Sequence, residues 1–149
     1  MEIHSILVGV DFSEGSRSAL HYAAGLARGF GARLVLVHVV DSHDLRIIAD
    51  ACGENEARTL ERLRREAAER MVEFVAADDA EGTQVESLVT TGVPYHQLAL
   101  KARELVVDLI VLGAQGAGRD RMEELFFGST AEKVVRLLPC PVLCVPTLP

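Results

Sequence analysis

The residues best suited to chemistry lie in one stretch near the C-terminal end, Gly113-Ala114-Gln115-Gly116-Ala117-Gly118-Arg119-Asp120-Arg121-Met122-Glu123-Glu124-Leu125-Phe126-Phe127-Gly128-Ser129-Thr130. Glycines let main-chain N–H groups approach an anion without a Cβ in the way. Gly128-Ser129-Thr130 opens a helix, whose free amides and dipole favour negative charge. A phosphate-bearing ligand suits that pair of elements. The same residues carry a second reading: Ser129-Thr130-Ala131-Glu132 fits a capping box that satisfies the helix's own amides, and glycines after a strand serve as turn residues. No Gly-Lys-Ser/Thr follows, so the stretch is not a Walker A loop, and its spacing is wrong for a dinucleotide fingerprint.

Elsewhere the candidates thin out. Asp11 stands where a phospho-acceptor would, but that chemistry needs clustered acids around a divalent cation, and its neighbours are Val10 and Phe12. An aspartate there can instead accept hydrogen bonds from the turn that follows it. The five histidines (His4, His21, His38, His43, His96) have no metal-ligand spacing, and His38, inside an apolar run, reads as a satisfied core histidine. There is no Gly-x-Ser-x-Gly elbow and no assembled Ser/His/acid set. Cys52, Cys140 and Cys144 form no C-x-x-C pair, which leaves no disulfide framework or zinc site and points to a reducing, cytoplasmic compartment. Cys140 and Cys144 read as packed thiols.

These residues must be held by a fold, and composition limits which. The 149 residues are 49% hydrophobic and carry 15 Lys and Arg against 22 Asp and Glu, a formal net charge of −7. That is the profile of one self-sufficient globular domain, residues 1–149. An acidic balance opposes general nucleic-acid binding, which needs a Lys/Arg excess on some face. No signal-peptide pattern and no apolar run near the roughly 18 residues of a bilayer span is present, so no membrane role is expected.

Short apolar runs alternate with amphipathic segments. Ile3 to Val10, Leu34 to Val40, Leu109 to Leu112 and Val142 to Val145 are near-continuous apolar strands, and Val85 to Thr90 is a weaker fifth. Glu14 to Phe30 puts Ala19, Leu20, Ala23, Leu26, Ala27 and Phe30 at helical spacing, with Gly29 and Gly31 as the stop. Glu54 to Ala77 aligns Leu60, Leu63, Ala67, Met71 and Phe74 on one stripe, with Glu61/Arg65 and Glu66/Arg70 as expected outer pairs. A third helix starts at Pro94 and buries Leu98, Ala102 and Leu105; a fourth starts at Ser129. Asp41 to Asn55 reads as a polar, mobile connection. The string β-α-β-α-β-α-β-α-β predicts right-handed βαβ units and a doubly wound α/β sheet. Ligands of such sheets bind beyond the carboxyl ends of strands where the order reverses, which singles out Asp11, Val39 to Asp41 and the loop after Leu112.

Taken together, Val10-Asp11-Phe12-Ser13, His38-Val39-Val40-Asp41, Gly92-Val93-Pro94, Asp108-Leu109-Ile110-Val111-Leu112-Gly113, Gly128-Ser129-Thr130-Ala131-Glu132-Lys133-Val134 and Cys140-Pro141-Val142-Leu143-Cys144-Val145 resemble the universal stress protein family across essentially the full length. The resemblance implies a Rossmann-like five-stranded parallel sheet of order 3-2-1-4-5. One branch of that family binds ATP through Gly-x-x-Gly, nine residues, then Gly-Ser/Thr. Gly113, Gly116, Gly128 and Ser129 match the fixed positions, but eleven residues, Ala117 to Phe127, separate the second and third glycines here. Two extra residues must bulge out or re-aim the loop.

The resemblance implies a ligand shell of Val10, Asp11, Val39, Leu112, Gly113, Gln115, Gly116, Gly128, Ser129 and Thr130, with Asp11 and Val39 toward adenosine and Gly116, Gly128 and Ser129 toward phosphates. The implied ligand is ATP or a related adenine nucleotide such as AMP or ADP, with Mg²⁺ a possible companion of the phosphates and any hydrolysis slow. It also implies a homodimer through the C-terminal strand, Val142, Leu143, Cys144 and Val145, which Pro141 and Pro146 bracket as edge-strand prolines do. Two other readings stand beside this one: an interaction module that binds no nucleotide, and a slow nucleotide hydrolase.

Overall fold

The computed structural model describes residues 1–76, 80–114, 129–137 and 139–147. Five strands, β1 (Ser5–Gly9), β2 (Arg33–Asp41), β3 (Val85–Gly92), β4 (Leu109–Gly113) and β5 (Val142–Val145), alternate with α1 (Glu14–Phe30), α2 (Ser42–Cys52), α3 (Glu56–Ala76), α4 (Pro94–Glu104) and α5 (Ser129–Leu137). The strands pair in parallel in the order β3-β2-β1-β4-β5. Both the doubly wound architecture and its strand order match the expectation.

Two apolar layers explain why the strands read as unbroken hydrophobic runs. On one face Ile6, Val8, Leu34 and Leu36 pack beneath α1 and the Met71–Phe74 end of α3. On the other, Leu7, Val35, Val37 and Ile110 pack against Leu98 and Ala102 of α4 and Ala131 and Val134 of α5. A strand covered on both sides has no polar face to alternate with. The start of β4 is tied to β1 by Asp108, whose Oδ2 accepts the main-chain N–H groups of His4 (2.8 Å) and Ser5 (3.0 Å).

The segment after β2 departs from the expected mobile connection. It forms α2, capped by Asp41, whose carboxylate accepts the His43 N–H at 2.8 Å, and closed by Gly53 in the left-handed region at φ 63°. Only Leu45 and Ala49, four residues apart, are buried, so the apolar stripe is too narrow to stand out from a polar sequence. The expected pairs on α3 also rearrange. Arg62 reaches Glu54 at 3.2 Å and Glu66 at 3.5 Å. Neither Glu61/Arg65 nor Glu66/Arg70 pairs. Phe30, placed on the buried stripe of α1, is 47% exposed because it sits in the final turn, with Gly31 ending the helix at φ 68°.

Candidate functional site

Strand order reverses between β1 and β4, whose following helices leave to opposite faces of the sheet. The carboxyl ends of β1, β2 and β4 open there into a cleft of about 470 Å³. Of the residues singled out from sequence, Val10, Asp11, Val39, Leu112, Gly113 and Thr130 all line it. Gln115, Gly116 and Gly128 lie outside the described residues, as do Arg119 and Arg121. Ser129 is the first residue of α5.

The wall on the α4 side is apolar. Val37 and Val39 of β2, Leu98 of α4 and Leu112 of β4 form it, with Pro94 at the start of α4. Gly9 makes this packing possible, since a Cβ there would fall 2.6 Å from Leu112 Cδ2 and 3.2 Å from Leu98 Cδ1. Thr130 and Ala131 bring the first turn of α5 to the same cavity, so its helix N-terminus borders the cleft.

Asp11 is tied to the turn between β1 and α1. Its Oδ1 accepts the Ser13 N–H at 3.0 Å and also the Ser13 hydroxyl proton. Ser13 in turn caps α1 by accepting the Ser16 N–H at 3.2 Å. The local role foreseen for this aspartate is therefore present, and the residue also faces the cavity. Between them, Phe12 adopts φ 64°, a left-handed backbone that costs a non-glycine residue free energy unless its surroundings fix it.

What fixes it is an aromatic and cationic stack on the α3 side. The Phe12 ring lies 4.7 Å from His38 and meets Phe74 edge-on at 5.7 Å. The Arg70 guanidinium sits 4.2 Å above the Phe12 ring, and Arg17 sits 4.4 Å above Phe74. Sequence reading gave Phe12 no role of its own and set Arg70 on the outer face of its helix opposite Glu66, because the meeting of the two depends on α3 folding back across β1. The only available signal was the position of Phe12 at a strand end.

His38 belongs to this wall. Its Nδ1 lies 2.7 Å from the Val10 carbonyl oxygen, and since a carbonyl only accepts, Nδ1 carries the proton. Burial lowers its pKa below the usual histidine value; the Val10 hydrogen bond opposes that, while nearby Arg70 adds to it. The ring is therefore neutral near pH 7. Cys140 and Cys144 are packed against the α4–α5 side, and burial raises both thiols. Among the described residues no group of three His, Cys, Asp or Glu side chains could hold a metal ion. No helix of the described residues is long and apolar enough to cross a membrane.

This arrangement can hold a molecule with an apolar body and a polar tail, across a sheet end that already matches one family's topology. The family model "Universal stress protein family" matches residues 2–146. The chain belongs to the universal stress protein family. A relative from Thermus aquaticus, named for its place in a QAH/OAS sulfhydrylase 3′ region, is 35% identical over 147 residues, covering 95% of this chain and 97% of its own. The solved structure of MJ0577 from Methanocaldococcus jannaschii superposes with a TM-score of 0.83 at 24% identity, covering 100% of this chain and 99% of that one. A universal stress protein from Archaeoglobus fulgidus, solved in complex with dAMP, superposes with a TM-score of 0.64 at 23% identity over 97% of this chain and 99% of that one.

Proposed function

We propose that this universal stress protein binds an adenine nucleotide, ATP or its AMP and ADP relatives, in the cleft between β1 and β4, and that occupancy is what it contributes to a stress response. The observation that carries the reading is the cavity itself: an apolar wall on one side, the turn of Asp11 on another, and the first turn of α5 at its rim. An adenine base suits the Val39 and Leu112 wall, while phosphates suit the helix N-terminus and the glycines around it. The dAMP complex of the Archaeoglobus protein supplies a ligand class by analogy within the fold. Gly113, Gly116, Gly128 and Ser129 match the residue types of the pattern that the family resemblance implies for ATP binding, with eleven residues in place of nine between Gly116 and Gly128.

The chain's own groups would bind and orient the ligand more than transform it. Among the described residues no group of three His, Cys, Asp or Glu side chains is gathered to hold Mg²⁺. Hydrolysis, if measured, is slow on this reading. The active unit is proposed to be a homodimer in the cytoplasm, joined through β5, the strand at one edge of the sheet.

Thermal or chemical denaturation with added ATP and with added AMP tests the proposal. A nucleotide at 100 times its Kd adds about 2.7 kcal/mol of stability. No stabilisation at millimolar concentrations of either would defeat it and favour a nucleotide-free interaction module, the reading that the longer Ala117 to Phe127 spacing supports.

A further inference from the structure

His38 is half-buried in β2, lines the cleft and has a fixed tautomer, because Nδ1–H is committed to the Val10 carbonyl at 2.7 Å. In the neutral ring the other nitrogen, Nε2, is then an acceptor with a free lone pair. No hydrogen bond to Nε2 is made among the described residues, and Nε2 is not one of the buried polar atoms sealed from solvent without a partner. The ring is clamped by Phe12 at 4.7 Å, and Arg70, whose charge acts on His38, is engaged with the Phe12 face. A fixed, half-buried acceptor in the wall of a cavity, given no donor by the described residues, is a feature that a ligand completes.

We infer that His38 is a specificity-determining residue of the nucleotide site, its Nε2 accepting a hydrogen bond from an N–H or O–H donor of the bound molecule. The inference rests on the proposed nucleotide reading and refines it. Two groups of an adenine nucleotide offer that chemistry, the exocyclic amine of the base and the ribose hydroxyls. A metal ion would also take an imidazole nitrogen whose partner nitrogen is bonded to a carbonyl, but the described residues bring no second and third ligand to His38.

Long-range ¹H–¹⁵N correlation spectra of the labelled protein near pH 7.5 test this directly. In the free protein the His38 Nδ1 resonance should be that of a protonated nitrogen and Nε2 that of a bare one. Saturating AMP should move Nε2 toward the hydrogen-bonded position. IMP, which presents a carbonyl oxygen in place of the amine, and the 2′- and 3′-deoxy forms of AMP remove the two donor types separately. The analogue lacking the relevant donor should leave Nε2 unshifted and bind about tenfold more weakly. His38→Phe should abolish that discrimination.

A protonated Nε2 in the free protein overturns the inference. So does AMP binding that shifts the Val39 and Leu112 resonances while His38 Nε2 stays still, an outcome that leaves the nucleotide reading intact. Saturating AMP that moves no resonance of the cleft sinks the nucleotide reading and this inference together.

Discussion

Gly113 at the end of β4 and Gly15 in the first turn of α1 meet backbone to backbone. A Cβ built on Gly113 would lie 2.5 Å from the Gly15 carbonyl carbon and 2.6 Å from its oxygen, closer than any side chain is tolerated. The glycine is thus required by packing between β4 and α1, whatever its part toward an anion. Gly113→Ala should destabilise the ligand-free protein by about 1–3 kcal/mol, the usual cost of forced overpacking. Urea denaturation without nucleotide checks this; an unchanged midpoint would mean that the two backbones move apart at little cost.

Phe12 pays for a left-handed backbone with its contacts to His38, Phe74 and Arg70. Phe12→Ala keeps the strain and removes the stack, so it should cost about 1–3 kcal/mol, below the range for a fully buried phenylalanine. Arg70→Met should cost less than about 1 kcal/mol, because Arg70 is itself exposed and a cation–π contact made by an exposed cation is weak. Equilibrium unfolding of both variants should rank them in that order.

Acid should weaken the fold in two separate windows. His38 titrates below its unfolded value, so the unfolded chain binds its proton first; the stability it confers is complete above about pH 6.5 and is lost as pH falls from there through the lowered folded value. Asp108, held low by the His4 and Ser5 N–H groups, and Glu54, held low by Thr59 and Arg62, confer stability that persists to lower pH and is lost only below the ordinary carboxylate range. Unfolding midpoints between pH 7.5 and 5 should therefore fall in the native protein and stay flatter in His38→Gln. A parallel slope in both would remove His38 from the first window.

Ser129 opens α5 beside the cavity lined by Thr130 and Ala131. If its hydroxyl and amide meet the phosphates, Ser129→Ala should weaken ATP binding about tenfold or more, in line with a lost hydrogen bond to a charged group. It should weaken adenosine binding little. Calorimetric titration of both ligands decides it, and an equal loss for both would leave Ser129 without a part in phosphate binding.

The parallel ladder between β4 and β5 leaves alternate main-chain groups of β5 facing outward. Ile110 N–H bonds the Pro141 carbonyl and Ala114 N–H bonds the Val145 carbonyl, which turns the Cys144 N–H away from β4. Cys144→Pro should then convert the proposed dimer to monomer while the sheet order is retained. Sedimentation velocity beside far-ultraviolet circular dichroism would show it; a native chain that sediments as a monomer contradicts the dimer outright.

Sequence alone revealed the sheet because strands covered on both faces, such as Leu34 to Val37, leave a continuous apolar signature. It placed Asp11, Val39 and the end of β4 at Leu112 at one cavity through topology, since strand ends beside a reversal of order converge whatever their local composition, while Thr130 came from the family resemblance. It missed α2, whose burial rests on Leu45 and Ala49 alone, and it missed Phe12 and Arg70, whose contact joins elements far apart along the chain. Helical periodicity did locate Leu63 and Ala67, but as plain core; both border the cavity. The Glu66 and Arg70 pairing failed for a simpler reason: spacing permits an ion pair, but competition with Arg62 decides which pair forms.

The cleft has α2 and α3 on one bank and α4 and α5 on the other, two helical layers separated by the thickness of the sheet. A molecule seated there acts as a rivet driven through the rim of a laminate. Its binding energy resists delamination at that end, where the carboxyl ends of β1, β2 and β4 line the cleft. Proteolysis of the loaded chain should accordingly slow on both banks at once, and a partner probing either layer would sense the same occupancy.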